Sequence, residues 1–172
     1  MKYKLIPLTH DQFAKVDPED YGRLTKFRWN AFWNNKRRYY RAIRHCYDKN
    51  TGKWKNVYMS REVMGSPKDL VIDHVNHDTL DNRKSNLRPC RPKDNLRNKK
   101  RHKDNTSGFT GVCRAAHGSK SWEAKIGVSG KSIYLGSFRY KAQAAIAYNE
   151  AAIRYFGEFS CLNVLPPQSY LP

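Results

Sequence analysis

The sequence contains few cysteines, and their spacing disfavours a structural zinc site. Four cysteines are spread along the chain: Cys46, Cys90, Cys113 and Cys161. No two of them form the C-x₂₋₄-C pair that structural zinc usually requires. A zinc site built on His74, His77, Cys90 and a later histidine is the alternative that this spacing disfavours. We expect free thiols, which are typical of a reducing compartment.

Long apolar segments are also missing. The sequence has no run of 18 apolar residues, and its first residues, MKYKLIPLTHDQF, lack the apolar core of a signal peptide. We therefore expect no membrane-spanning segment. The predicted location is cytoplasmic, or nuclear in a host that has a nucleus.

Acidic residues are scarce relative to basic ones. The chain has 33 Lys and Arg against 15 Asp and Glu, which gives a net charge of +18. Such an excess points to a polyanionic partner, and we predict double-stranded DNA. RNA and an anionic membrane surface are the alternatives that charge alone leaves open. Hydrophobic residues at 39% suffice for folded cores. The sequence gives no sign of an obligate protein partner.

One stretch, Val71–Asn98, has the composition of a catalytic frame. A short apolar run ends in Asp73 and His74, and a loop rich in turn formers leads to Asn86. A short strand-like run follows, and then a polar segment, expected to be helical, that carries Asn95. The order strand, long turn, strand, helix can direct an imidazole, a carboxylate and an amide to one place.

The spacing of these residues resembles the HNH nuclease motif. Asn86 follows His74 by 12 positions and Asn95 follows Asn86 by 9, with Asp-Asn at 81–82 and SNLR at 85–88. The resemblance is to the variant in which Asn replaces the last His, as in homing endonucleases of phages. It implies a ββα-metal fold and hydrolysis of DNA to 5′-phosphate and 3′-hydroxyl ends. It also implies a phage- or intron-associated gene, and the host cytosol as the location of a phage protein.

The chemistry of phosphodiester hydrolysis suggests a role for each residue of the motif. The oxygens of Asp73 and Asn95 would hold one Mg²⁺ or Mn²⁺, which relieves charge developing on the phosphate. His74 is the predicted general base, and positioned bases contribute roughly 10²–10⁴-fold. Asn86 either orients the imidazole or ties the loop together. Arg88 is a candidate DNA contact.

The segments before this motif predict a helix and a sheet. Asp17 and Pro18 form a helix-start signature, and the helix is expected to run to about Lys26 or Phe27. Runs rich in aromatic and β-branched residues then predict an antiparallel meander with strands at 29–33, 39–46 and 54–59. The basic residues of this region line either a solvated strand edge or a DNA-backbone contact: Arg37, Arg38, Arg41 and Arg44.

The segment after the motif predicts a domain boundary. Basic residues and loop formers fill residues 99–107, which we interpret as a linker that also contacts phosphates through Lys99, Lys100 and Arg101. The predicted organisation is a nuclease domain at 1–98, the linker at 99–107, a second domain at 108–165 and a tail at 166–172.

The second domain has a clear pattern of two strands and a helix. Apolar residues alternate in WEAKIGV, Ser129-Gly130 predicts a hairpin turn, and residues 131–138 form the partner strand. Residues 141–155 have helical spacing, with a buried face expected at Ala142, Ala145, Ile146, Ala152, Ile153 and Phe156. Gly157 is placed as a C-cap.

These segments resemble the DNA-binding domain of plant ethylene-response factors, the Apetala class. The similarity rests on GFTGV, WEAKI, YLGSF, AAIAYNEAA and the closing Cys-Leu-Asn, in that order. It implies a three-stranded antiparallel sheet, packed on one helix, whose exposed face enters the major groove. By position it makes Arg114, Lys125 and Tyr134 candidate DNA contacts.

Together these features predict an α+β protein. An N-terminal antiparallel sheet with a ββα-metal nuclease motif precedes a small three-stranded sheet on one helix. The predicted function is a site-specific DNA endonuclease of the homing type. The alternatives are a DNA-binding transcriptional regulator with an inactive nuclease fold, and an RNA-binding protein.

Overall fold

The structure is a computed structural model that describes residues 2–36, 38–95, 105–115 and 121–165. The architecture is mixed α/β, with several small antiparallel sheets and few helices. The chain divides into two compact units, Met1–Pro92 and Lys93–Pro172. Among the described residues, no helix is both long and apolar enough to cross a membrane. The predicted domain limits at 98 and 108 remain a prediction.

Short strands dominate the first unit. Its elements in order are β1 (Lys4–Pro7), β2 (Phe13–Val16), α1 (Pro18–Leu24), β3 (Asn30–Asn34), β4 (Tyr39–Asp48), β5 (Lys53–Tyr58), α2 (Met59–Val63), β6 (Val71–His74) and β7 (Leu87–Cys90). β1 pairs with β2, β6 pairs with β7, and β3, β4 and β5 form an antiparallel sheet in that order. A single helical turn, α3 (Pro92–Asn95), follows β7.

The predicted meander is confirmed, and β4 is its central strand. An interpretation of the β4 arginines as a solvated sheet edge is therefore wrong. Arg44 instead pairs with Glu62 at 3.1 Å and lies over the ring of Phe27, 4.1 Å from its centroid. The guanidinium of Arg44 is thus paired within the fold, because the sheet packs against α2, which carries Glu62.

The core of the first unit lies between the sheets and the two short helices. The buried side chains that form it come from nearly every element: Ile6, Ala14, Val16, Leu24, Trp29, Ala42, Met59, Val63 and Leu87. Met59, predicted as the end of a strand, begins α2, where its side chain is fully buried. Burial of this apolar surface is the main force holding the short strands together.

Helix α1 ends earlier than predicted, at Leu24 rather than Lys26 or Phe27. The indole Nε1 of Trp29 donates to the carbonyl oxygen of Leu24 at 2.9 Å, so the chain turns inward there. Asp17 precedes the helix, but its side chain makes no capping bond. Its Oδ2 accepts from the backbone N–H of Lys84 at 2.7 Å, which connects the helix start to the segment before β7.

The second unit is a sheet covered by a helix. Its elements are β8 (Val112–Arg114), β9 (Trp122–Val128), β10 (Lys131–Phe138) and α4 (Lys141–Phe156), and the strand order is β10-β9-β8. Ser129 and Gly130 both have positive φ, as a tight hairpin turn requires. The alternation in β9 is confirmed, since Ala124 and Ile126 are buried and Lys125 is exposed.

Small side chains let α4 lie close to the sheet. Its buried residues are Ala142, Ala144, Ala145, Tyr148, Ala151 and Ala152. The prediction was wrong for Ile153, which is 54% exposed. Ile153 lies about 100° around the helix from Ala152, and this rotation turns it away from the sheet.

Two features hold the segment before β8 and the chain after α4 in place. A Cβ at Gly111, which has φ +72°, would lie 2.0 Å from the Tyr148 ring and 2.7 Å from the Lys125 carbonyl oxygen.

Asn163, from the predicted Cys-Leu-Asn motif, forms hydrogen bonds with both backbone groups of Thr110, at 2.6 and 3.1 Å. It also exchanges two bonds with Asn149 on α4. The chain after α4 is thereby tied to the segment before β8.

Candidate functional site

Asp73 and His74 end strand β6, and their cross-strand partners on β7 differ. Asp73 lies opposite Arg88, and His74 lies opposite Leu87. Because successive side chains of a strand point to opposite faces, the carboxylate and the imidazole leave the strand on different sides. Each side chain has its own set of neighbours.

The Asp73 carboxylate is buried and paired with Arg88. The Nε and Nη2 atoms of Arg88 donate to Asp73 Oδ2 at 2.9 and 2.7 Å. A buried carboxylate requires such a partner, because an unpaired charge in the interior is costly. The structure therefore brings together a residue predicted as a metal ligand and a residue predicted as a DNA contact.

His74 contacts Asn82, which the sequence placed in the motif without assigning it a role. The imidazole Nε2 lies 3.4 Å from Oδ1 of Asn82. The amide Nδ2 of the buried Asn82 donates to the Leu80 carbonyl at 3.2 Å, which leaves Oδ1 facing the ring. An oxygen in that position accepts, so the contact fits the tautomer in which Nε2 carries the proton and Nδ1 is the basic nitrogen.

The surroundings of His74 keep the ring neutral. Burial lowers the pKa of His74 below its ordinary value of 6.5, and the positive charge of Arg41 lowers the pKa further. The hydrogen bond to Asn82 and the charges of Asp73 and Asp78 act in the opposite direction without reversing the shift. A neutral imidazole can accept a proton at physiological pH.

Asn86 braces the loop between β6 and β7. Its Oδ1 accepts from the backbone N–H of Asn76 at 2.9 Å, and its Nδ2 donates to the carbonyl of Asp81 at 2.7 Å. The backbone N–H of Val75 also donates to the Asn86 carbonyl at 2.9 Å. Of the two roles left open for Asn86, these bonds correspond to tying the loop together.

Asp81 is the second anchor of this loop. Arg83 binds its two carboxylate oxygens at 2.7 and 2.6 Å, and Asn76 Nδ2 donates to Oδ2 at 3.1 Å. Burial alone would raise the pKa of Asp81, but the Arg83 bonds outweigh it and the pKa is lowered. The Asp-Asn dipeptide at 81–82 was the sequence signal for both the anchor and the His74 partner.

Besides Arg88, a second arginine, Arg41, places positive charge near the His74 imidazole. Its guanidinium carbon lies 5.2 and 5.4 Å from the ring centroids of Tyr39 and Tyr58, and its Nη2 donates to the Tyr39 hydroxyl at 2.8 Å. Thr79, in the loop after His74, donates to the carbonyl of Tyr40 and ties this loop to β4. The structure therefore places an ordered arginine beside the site.

The predicted metal ligands lie in different units. Asp73 belongs to the first unit, and Asn95 ends α3 in the second, so their pairing on one ion stays a prediction. In the described part of the chain, no three His, Cys, Asp or Glu residues cluster as a metal site would require. A carboxylate with an amide oxygen still fits Mg²⁺ or Mn²⁺, because these ions keep several waters and need few protein ligands.

The predicted DNA contacts of the second unit do not share one face. Lys125 and Tyr134 are directly opposed and exposed on the side of the sheet away from α4, and Lys125 pairs with Glu123 at 2.6 Å. Arg114 lies opposite Trp122, whose ring packs toward the helix, and is 5.5 Å from its centroid. The contacts predicted at Lys99, Lys100 and Arg101 lie outside the described residues.

Comparison with known proteins finds matches for the segment that carries Asp73, His74 and Asn86. Residues 48–97 match the family described as HNH endonuclease, so the chain carries an HNH endonuclease domain in this region. An uncharacterized HNH endonuclease of Acanthamoeba polyphaga mimivirus is 32% identical over 97 residues, which cover 56% of this chain and 49% of the relative. The chain therefore spans about half the length of that curated relative.

Proposed function

We propose that the chain is a DNA endonuclease that hydrolyses phosphodiester bonds, with His74 as general base and one divalent cation. The observation that carries the proposal is the state of His74. Within a segment that matches the HNH endonuclease family, the imidazole is partly buried, has a lowered pKa and lies 3.4 Å from the side-chain oxygen of Asn82. A purely structural loop would not need a neutral ring next to a carboxylate and an arginine.

In this mechanism Nδ1 of His74 accepts the proton of the attacking water. The lowered pKa keeps that nitrogen unprotonated, and Asn82 keeps the ring in a single tautomer. Asp73 and Asn95 would hold Mg²⁺ or Mn²⁺, which when bound stabilises charge on the phosphate and on the leaving 3′ oxygen. The products are a 5′-phosphate and a 3′-hydroxyl.

The arginines of the site supply further positive charge. Arg41 is held between two tyrosines and next to His74, and we assign it a contact with the DNA backbone. Arg88 is engaged with Asp73, so its role toward DNA is exercised only if that pair opens. A cation bound at Asp73 would share the carboxylate with this guanidinium.

The second unit is proposed to bind DNA and to direct the first to its site. Its outer sheet face carries Lys125 and Tyr134, and the basic segment with Lys99, Lys100 and Arg101 would neutralise further phosphates. Arg114 is proposed as a contact from the sheet edge. This two-part organisation and the resemblances of both segments support a homing endonuclease of the phage or intron type.

Incubation of supercoiled plasmid with the protein and either Mg²⁺ or EDTA tests the proposal. We expect nicked or linear product with Mg²⁺ only, and sequencing of the ends should show 5′-phosphates.

Deletion from Phe109 onward should weaken DNA binding strongly and leave metal-dependent cutting at high enzyme concentration. Intact plasmid at every Mg²⁺ and Mn²⁺ concentration would refute the nuclease.

The second candidate is a DNA-binding regulator that retains an inactive nuclease fold. The Asp73–Arg88 pair favours it, since the guanidinium neutralises the predicted metal ligand. A regulator would bind a defined duplex in EDTA and would not cut it when Mg²⁺ is added. The same plasmid assay, with a binding assay beside it, separates the two candidates.

A further inference from the structure

The sheet formed by β3, β4 and β5 has an unusual outer face. One side of the sheet carries Ala42 into the core. Besides Ile43, His45 and three asparagines, the cross-strand register places five aromatic residues and one arginine on the other side: Phe32, Tyr39, Arg41, Tyr47, Trp54 and Tyr58. The solvent face of an antiparallel sheet is ordinarily polar. Ile43 on this side is 2% exposed, so the fold itself covers the middle of the face, and only the exposed rings need an explanation outside the fold.

The most exposed part of this face is a pair of rings. Tyr47 and Trp54 are directly opposed across β4 and β5, with centroids 5.5 Å apart and planes at 62°. Trp54 is 70% exposed and Tyr47 49%, whereas Trp29 in the core is 2% exposed. Leaving a tryptophan this open to water is unfavourable, and such residues mark contacts with a partner.

The charge around the rings identifies the kind of partner. The β4–β5 hairpin that carries the pair also carries exposed Lys49, Lys53 and Lys55. Asp48 pairs with Lys55 at 3.2 Å and offsets only one of these charges. By the register, Lys53 and Lys55 leave the sheet on the side opposite the rings, Lys49 lies in the turn, and Arg41 shares the side of the rings. Exposed rings on a face that also carries Arg41 fit a ligand with flat faces and negative charge, which is the chemistry of a nucleic-acid strand.

We infer that Tyr47 and Trp54 form a stacking site for an unpaired base of the bound DNA. The inference rests on the proposed function, in which DNA is the substrate, and it adds a contact that reads an unstacked base. Base-stacking on exposed aromatic rings tolerates any sequence, because every base has a π-face. The pair would therefore sense the distortion of the duplex.

The pair lies toward the far end of β4 from the candidate site. Arg41 precedes Tyr47 by 6 residues on the same strand. At roughly 3.3 Å per residue this is about 20 Å along the strand.

Fluorescence anisotropy in EDTA tests the stacking site without cleavage. The full chain is titrated with a short random-sequence duplex and with the same duplex containing one extrahelical thymine. The wild-type protein should prefer the bulged duplex. Trp54→Ala should weaken its binding to the bulged duplex roughly 10- to 100-fold and change binding to the paired duplex little. Trp54→Phe should retain most of the preference, because a ring remains.

Phe13→Ala is the matched control, since it removes another exposed aromatic ring, from β2 in a different sheet. It should leave the preference unchanged. Equal loss on both duplexes, or no loss with Trp54→Ala, would overturn the inference. A change in sedimentation with Trp54→Ala would also overturn it and assign the rings to self-association. Cleavage of plasmid in Mg²⁺ is scored separately, so a failed stacking site and a failed nuclease give different results.

Discussion

The two units of the chain are stabilised in different ways. In the first unit, the loop between β6 and β7 depends on polar side chains that bond to backbone, chiefly Asn76, Asp81 and Asn86. In the second unit, an alanine-rich helix packs on a sheet, and polar bonds serve mainly to tie the ends. Hydrogen bonds are directional and apolar contacts are not.

The difference indicates what the Asn and Asp side chains of the first unit do. A loop that must present an imidazole in one orientation needs directional bonds, and most of its Asn and Asp residues serve that purpose. We therefore expect Asn86 and Asp81 to support the site through these bonds and not to contact the substrate. Substitutions there should reduce stability, while substitutions at His74 should affect chemistry alone.

Gly111→Ala should have the largest effect on the stability of the second unit. The added Cβ collides with the Tyr148 ring and with a carbonyl, at a positive φ that alanine disfavours. We expect a loss of roughly 3 kcal/mol or more, measured by urea unfolding. Gly108→Ala has φ +87° but nothing within 4 Å, so roughly 1 kcal/mol is expected. Equal costs would mean that the close contact is absent.

Asp81→Asn should destabilise the first unit by roughly 2–3 kcal/mol, because it breaks the buried ion pair with Arg83. Arg83 keeps partial access to water, which limits the cost. Asp78→Asn is the control on the same loop, because its exposed side chain can still accept from Leu80. Thermal unfolding followed by circular dichroism should show a small change for Asp78→Asn only. The reverse order would refute the anchor role of Asp81.

Cleavage should persist to lower pH than an ordinary histidine allows. The folded-state pKa of His74 is lowered from 6.5, so the base stays neutral at pH 6.5 and above. Activity is lost only as the pH falls through the lowered value, by about tenfold per pH unit. Single-turnover rates from acid to neutral pH give the midpoint. A midpoint above 6.5 would contradict a base held neutral by burial and Arg41.

Lys125→Ala should have the smallest effect, a loss of roughly two- to threefold in DNA affinity at low salt. Removing one phosphate contact should also reduce the salt slope by about 0.9. Lys131→Ala is the matched control, because Lys131 lies opposite Val128 on the side of the sheet that faces α4. Equal losses for the two variants would show that the outer face is not the DNA-binding face.

The sequence predicted strands and helices well where the alternation or helical spacing of apolar side chains determines them. The meander, the hairpin at Ser129-Gly130 and helix α4 follow from alternation and helical spacing. The end of α1 could not be predicted, because it depends on the Trp29 indole reaching Leu24. Asp17 has the pattern of a cap, but a backbone amide of Lys84, distant in sequence, takes its carboxylate.

For the candidate site, the sequence indicated which segment carries the site residues but not which side chains pair with them. Spacing identified Asp73, His74 and Asn86, all of which lie on β6, β7 or the loop between them. It did not reveal that Asn82 holds the imidazole or that Arg88 binds Asp73, since these pairs form across a strand pair and a folded loop. Side-chain pairing of this kind depends on register, which one sequence leaves open.

Cleavage and binding by His74→Ala, measured on the same plasmid in Mg²⁺, test the central claim most directly. We predict that cleavage falls roughly 10²–10⁴-fold while DNA affinity stays nearly unchanged and the protein remains folded at the assay temperature. His77→Asn, a loop position with φ +63° that asparagine accepts, should cut like the wild type. Wild-type cleavage by His74→Ala, or a parallel loss of binding, would contradict the assignment of His74 as the base.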